Sequence, residues 1–296
     1  MIISASTPGA PQGTGEVPVC PRHPDRPSYV RCQRCGRPAC PECQRPAAVG
    51  VQCVDCVKES ARTTRSARTV FGGEIRQGRP VVTLTIIGIC VVSWVLQLAT
   101  GGAWTERWWF APSIGQDEPW TFLTAAFLHS TSPLHILFNM YALWIVGQYL
   151  EPAFGRARFI TLYLLAAVGG QVGVLMLASP FDDSWRTAVV GASGAIFGLF
   201  GAIFFAMKKL GRNASQILVL IAINLALPLF IPNIAWQAHV GGLLVGLALG
   251  AAYAYAPRDK RQLVAWLAPA VVGVVLLGLT VWKYSTVPSI GSLLGA

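Results

Sequence analysis

Four polar residues interrupt stretches of this chain that are otherwise apolar. Ser193 lies in Gly191-Ala192-Ser193-Gly194, His239 in Gln237-Ala238-His239, and His135 and Asn139 stand four apart in a third stretch. A serine hydroxyl becomes an effective nucleophile when an adjacent base takes its proton, and histidine is the usual base near neutral pH. Acyl transfer then needs hydrogen-bond donors aimed at the oxyanion of its tetrahedral intermediate. The side chains of His135 and Asn139, on one helix face by their spacing, are such donors, as is the Ser193 N–H at a helix N-terminus.

A second constellation precedes these. Cys20-x-x-His23, Cys32-x-x-Cys35, Cys40-x-x-Cys43 and Cys53-x-x-Cys56 are four pairs, eight ligands within 37 residues. A two-residue gap lets both members of a pair converge on one ion, so eight ligands predict two closed tetrahedral zinc sites that are structural and leave no position open for catalysis. His23 at a cysteine's place argues against disulfides or a redox motif. The spacing permits three ways of combining four pairs into two sites. The pattern resembles B-box or RING-like zinc modules, and that resemblance implies a cross-braced pairing.

The elements that must position these residues follow from composition. Hydrophobic residues make up 53% of 296 positions and charged residues 12%, too apolar for an ordinary soluble core. The first 80 positions nevertheless hold 12 of the 23 Lys and Arg and seven of the eight Cys, which separates a polar N-terminal module from a membrane module. Residues 1–18 lack both a basic and an apolar signal region and are expected to be disordered, with the first span acting as insertion signal. Residues 19–57 form the zinc module. Residues 58–80, with Arg62, Arg65, Arg68, Arg76 and Arg79 among Gly72, Gly73 and Gly78, read as a basic linker near the membrane surface.

From Val81 onward, seven apolar stretches near 81–99, 133–150, 157–178, 191–207, 214–231, 234–255 and 263–282 are each read as a membrane-crossing helix. The fold class is therefore an all-α polytopic membrane protein. With the N-terminus in the cytoplasm, the three cytoplasmic loops carry 2, 3 and 3 Lys and Arg, while the opposite side carries only Arg107, Arg186 and Lys283. Topology thus accounts for the net charge of +10 without nucleic acid as a partner, and places Asn213-Ala-Ser215 on the side where no glycan is added. Residues 100–132 carry Trp104, Trp108, Trp109, Phe110, Trp120, Phe122 and Phe127, which suits a structure lying in the outer interface.

Orientation brings the polar residues to similar depth. The second, fourth and sixth spans all meet the outer side near His135, Ser193 and His239, so a cavity wetted from that side would join them. Gly194 and Gly198 on one helix, and Gly242, Gly246 and Gly250 on another, form stripes of small residues that permit close backbone approach. Alone, Gly-Ala-Ser-Gly is a helix-packing motif, and a lone intramembrane histidine is a helix-bridging donor; it is their conjunction that points to catalysis. His129, outside the spans, reads as a loop brace, and Cys90 as a packed thiol.

Gly191-Ala192-Ser193-Gly194-Ala195 with Gly198, His135-Ile-Leu-Phe-Asn139-Met140 and Ala238-His239-Val-Gly-Gly242-Leu-Leu-Val-Gly246 resemble the three signatures of rhomboid intramembrane proteases. Thr124-Ala-Ala-Phe-Leu-His129 and Gly155-Arg-Ala-Arg-Phe159 resemble that family's connecting segments. The resemblance spans residues 81–255 and implies a six-helix core, followed at 256–296 by a seventh helix and tail that it does not cover. It implies a serine endopeptidase with Ser193 as nucleophile, His239 as base and no acidic third member, and His135 with Asn139 as oxyanion hole. It further implies no cofactor for catalysis, transmembrane segments of single-pass proteins as substrates, and an inner or plasma membrane setting with the N-terminus cytoplasmic. The sequence departs from the family at Trp120-Thr121, where a Trp-Arg pair is usual, and at Phe197, where a tyrosine is frequent. The zinc module is expected to be a regulatory element or to engage a cytoplasmic protein partner, with anionic lipid binding by the basic linker as the alternative. Two rivals are a catalytically silent rhomboid-like helix binder, expected to lack the serine or the histidine, and a transporter, expected to carry acidic residues at mid-span.

Overall fold

A computed structural model describes residues 17–63, 68–73, 78–231 and 234–287 of the chain. The expected disorder of 1–18 falls almost wholly outside these residues, as do Arg65 and Arg76. The chain divides into two units, residues 1–66 and 67–296.

The first unit is small and its interior is made of sulfur. Strands β1 (Val19–Cys20) and β2 (His23–Pro27) pair antiparallel, as do β3 (Gln44–Pro46) and β4 (Val51–Cys53), and helix α1 (Val54–Thr63) follows. Its buried cluster consists of Cys20, Cys32, Cys40, Cys43, Cys53 and Cys56 with only Ala39 and Val54 beside them. So few aliphatic side chains cannot offset the ordering entropy of some 45 residues, at roughly 1–2 kcal/mol each for the backbone, so cross-links between the thiols must supply the difference.

The second unit is a helical bundle. In order come α2 (Val81–Ala99), the short α3 (Ala103–Trp108) and α4 (Thr121–Thr124), then α5 (Pro133–Phe154), α6 (Arg156–Leu177), α7 (Ser193–Lys209), α8 (Ser215–Ala226), α9 (Trp236–Tyr255) and α10 (Arg261–Thr286). Four of these, α2, α6, α9 and α10, are long and apolar enough to cross a membrane. Their outward side chains, among them Val92, Val95, Val274 and Leu277, are apolar and exposed, as lipid contact requires.

Three expectations change on folding. The span read at 214–231 becomes a 12-residue helix, α8, with a 3₁₀ turn at Leu227–Leu229, because Pro228 cannot continue the hydrogen-bond ladder. At about 18 Å it is shorter than a hydrocarbon core of about 30 Å. The second span runs to Phe154 and so takes in Glu151, which is 3% exposed. That carboxylate caps a different helix: it accepts from Val82 N–H (3.0 Å), Thr83 N–H (2.8 Å) and the Thr83 hydroxyl (2.8 Å) at the start of α2. Finally, part of the stretch read as a linker is packed into the bundle. Phe71 is buried edge-on against Phe154 at 5.4 Å, and Thr69 donates from its hydroxyl to the Ala153 carbonyl at 2.6 Å.

Gly155, at φ +86°, lets α5 reverse into α6 with no intervening loop. Helices α6, α7 and α9 then meet through glycine. A methyl group on Gly242 would overlap the Gly194 carbonyl, one on Gly246 would overlap Gly198, and one on Gly241 would overlap Gly169. At the far end α10 is fastened by Lys283, whose ammonium donates to the Ala178 carbonyl (2.9 Å) just past α6, and by Tyr284, whose hydroxyl donates to the Pro112 carbonyl (2.8 Å).

Candidate active site and metal clusters

The segment entering α7 is held in place before the helix begins. Phe110 and Val189 exchange backbone hydrogen bonds (3.2 and 2.7 Å), and the Gly191 N–H donates to the Ala125 carbonyl (3.0 Å). Gly191 has φ +134°, a backbone conformation that favours glycine, and a side chain there would press on the His135 ring. Ser193 follows as the first residue of α7. Helix geometry gives the first N–H groups of α7, that of Ser193 among them, no partner within the helix.

The glycine contact between α7 and α9 decides what Ser193 faces. With no side chains between the backbones at Gly194 and Gly242, the His239 ring reaches Ser193, and Nε2 lies 2.9 Å from Oγ. His239 is 7% exposed and stacks on Phe197 at 4.2 Å with rings 12° apart. Phe197 is one turn beyond Ser193 on α7, so a single helix supplies both the hydroxyl and the plate that orients the imidazole. Nδ1 of His239 has no hydrogen-bond partner among the described residues.

His135 is also drawn in. Its Nδ1 accepts from the Ser130 N–H at 3.0 Å, which leaves the proton on Nε2, and that edge of the ring lies beside Gly191. Asn139 is buried one turn along, with one amide N–H donated to the His135 carbonyl (2.8 Å) and the second available to another acceptor. His129 braces its loop through the main chain: Gln97 accepts from its N–H (2.9 Å) and donates to its carbonyl (2.8 Å). Its buried ring sits edge-on to His135 at 5.3 Å, and burial, with a smaller effect of His135, pushes its pKa down to about 3. The imidazole is therefore neutral. Ala125 and the pairing of Phe110 with Val189 carry no signal in the sequence, since main-chain bonds between distant loops leave no residue pattern, whereas Gln97 is a polar residue inside the apolar stretch 81–99 and that signal could have found it. The Trp120 ring, beside which the sequence carries Thr121, is covered by the Arg107 guanidinium at 5.0 Å.

In the first unit the eight thiol and imidazole groups gather into two sets that could each hold a metal ion. One comprises Cys20, His23, Cys40 and Cys43, the other Cys32, Cys35, Cys53 and Cys56, with ligand atoms all within 4.8 Å of one another. The first pair joins the third and the second joins the fourth, which is the cross-braced arrangement. His23 presents Nδ1 to Cys40 Sγ (3.2 Å) and Cys43 Sγ (3.4 Å), and Cys35 and Cys53 sulfurs are 3.8 Å apart. Ligands about 2.3 Å from a tetrahedral centre lie about 3.8 Å apart, so the donor set fits such an ion. The Cys53 N–H donates to Cys32 Sγ (3.2 Å) and Arg37 Nε to Cys35 Sγ (3.4 Å), bonds that favour thiolates.

The Rhomboid domain family matches residues 116–256, which contain all four polar residues of the site. The chain is 32% identical over 209 residues to Rhomboid protease GluP of Bacillus subtilis (strain 168), covering 66% of this chain and 38% of that protein. It is 37% identical over 142 residues to RHOMBOID-like protein 6, mitochondrial, of Arabidopsis thaliana (45% and 43%). To Putative rhomboid protease YdcA of Bacillus subtilis (strain 168) it is 32% identical over 141 residues, 46% of this chain and 68% of that protein. The chain thus spans about two fifths of the length of the first two relatives. With four helices able to cross a bilayer around the paired serine and histidine, this is an integral membrane protein, and the chain belongs to the rhomboid family.

Proposed function

We propose that the chain is an intramembrane serine endopeptidase that cleaves transmembrane segments of single-pass membrane proteins. The observation that carries this reading is the 2.9 Å contact between Ser193 Oγ and His239 Nε2. His239 takes the serine proton as Oγ attacks the scissile carbonyl, then returns it to the leaving amine. Phe197 fixes the plane of the imidazole in place of a carboxylate. The negative charge that develops on the carbonyl oxygen is met by the Ser193 N–H, His135 Nε2–H and the free Asn139 N–H. A substrate helix must unwind locally to present its peptide bond, which favours helix-weakening residues near the scissile position, and the resemblance to rhomboid proteases implies a small residue before the scissile bond.

Zinc is the ion we assign to both clusters, since six thiolates at CxxC-type spacing with one further thiolate and one imidazole match its preference for S and N ligands. When bound it supplies closed cross-links rather than reactivity. The Glu42 carboxylate lies 4.0 Å from His23 Nε2, beyond hydrogen-bond reach, and is paired with Arg26 Nη1 at 2.6 Å. We assign the N-terminal unit to the cytoplasm on the strength of the basic loops, where it is available to a protein partner.

The test is cleavage of a fluorogenic transmembrane-segment peptide in detergent by wild type, Ser193→Ala and His239→Ala. Wild type is expected to cleave and both variants to fall to background; cleavage that persists in both would sink the reading.

A further inference from the structure

At the end of the bundle opposite Ser193, a cavity of about 410 Å³ opens beside the turn from α5 into α6. That it is the opposite end follows from α6 itself, which starts there at Arg156 and runs 22 residues, about 33 Å, toward the loop that leads into Ser193. Arg68, Arg79, Arg156 and Arg158 line the cavity together with Glu151 and Trp266. Three helices begin around it, α2 just after Pro80, α6 at Arg156 and α10 at Arg261; the start of α2 is capped by Glu151, and the N-terminal partial positive charges of α6 and α10 remain beside the space.

The charge there is not balanced among the described residues. Among the described residues Glu151 is the one carboxylate in the lining, and it is already taken by the start of α2 and by Arg156 Nε at 3.7 Å. Arg158 is only 9% exposed, and its guanidinium donates to two main-chain carbonyls, those of Phe71 and Arg261, and lies 5.9 Å over the Tyr253 ring, with no carboxylate partner among the described residues. A buried cation bonded to neutral acceptors and lining a cavity is a site for an anion.

The rim indicates what carries that anion. Trp266 is 69% exposed, and Leu267, Val271 and Val274, further along the same side of α10, are 54%, 53% and 70% exposed, so an apolar track leads away from the basic cavity along the bundle. Tryptophan at such a boundary sits at headgroup level. We propose that this cavity binds the phosphate of an anionic phospholipid headgroup, with an acyl chain lying along α10. A soluble phosphate would use the arginines but not the apolar track, and a zwitterionic headgroup would bring its own cation against them.

The test is native mass spectrometry of the full chain released from detergent, titrated with phosphatidylglycerol or phosphatidylcholine, with inorganic phosphate as a third ligand. Wild type is expected to retain one phosphatidylglycerol at concentrations at least tenfold below those needed for phosphatidylcholine. Exposed Arg79 and Arg156 are replaced together (Arg79→Gln/Arg156→Gln), a change expected to weaken phosphatidylglycerol retention by roughly fivefold for each arginine removed. Trp266→Ala leaves the arginines in place and is expected to shorten retention of lipid without altering phosphate binding. Equal retention of the two lipids by wild type, an unchanged preference in the double variant, or binding of inorganic phosphate as tight as that of the lipid would each overturn the proposal.

Discussion

Gly242 of α9 rests against the carbonyl oxygen of Gly194 on α7, with no room between them for a methyl group. This contact sets the distance between the two helices one turn from His239 and one residue from Ser193, so it governs the serine–histidine pair without touching it.

Gly242→Ala is therefore expected to push α9 away and lower cleavage at least tenfold, at a stability cost of about 1–3 kcal/mol typical of overpacking. Gly278→Ala, in open space on α10, is the control and is expected to leave both unchanged. Thermal melts and cleavage rates of the two variants, measured side by side, check this.

In the proposed mechanism, His135→Ala and Asn139→Ala each remove one donor from the oxyanion position. Loss of such a donor costs about 2.7–4 kcal/mol of transition-state stabilisation, or a 10²–10³-fold fall in kcat. KM should barely move, because the charge exists only during reaction. A variant that changed KM alone would remove its residue from this role.

Phe197 supplies a flat surface rather than a charge. Phe197→Tyr should keep the 4.2 Å stack on His239 and retain activity, while Phe197→Ala should lower kcat by an order of magnitude or more by freeing the imidazole. Steady-state cleavage of both variants distinguishes orientation from simple space filling.

His129 gives a pH dependence whose sign is fixed. Its folded pKa, about 3, lies below the unfolded value near 6.5, so the folded state prefers the neutral ring. The stability this contributes is fully present above pH 6.5 and is lost as pH falls from there toward 3. His129→Phe should melt with a flatter dependence between pH 7 and pH 4 than wild type. Parallel slopes would contradict the assignment.

Metal analysis of the purified chain should return two zinc ions. His23→Ala should retain one, held by Cys32, Cys35, Cys53 and Cys56, and Cys35→Ser should retain the other. Chelation should unfold the N-terminal unit by circular dichroism, since its interior is little more than the thiols. Well under two ions in wild type would refute the two-site assignment.

What the sequence determined by itself is whatever depends on local spacing. A four-residue step from His135 to Asn139, two intervening residues in each ligand pair, and four-residue steps between the glycines of α7 and α9 are set by backbone geometry, and each predicts a shared helix face or a converging pair. Six of the seven apolar stretches became helices of at least 17 residues for the same reason. Tertiary structure alone decided the rest, because it depends on which distant segments meet. It chose one of three ligand pairings, and it closed Ser193 and His239 to 2.9 Å across 46 residues. It sent the Glu151 carboxylate to the start of α2 and anchored α10 through Lys283 and Tyr284. Buried in a medium without water, polar groups must find partners within the protein, and which partner is near is a property of packing that no periodicity encodes.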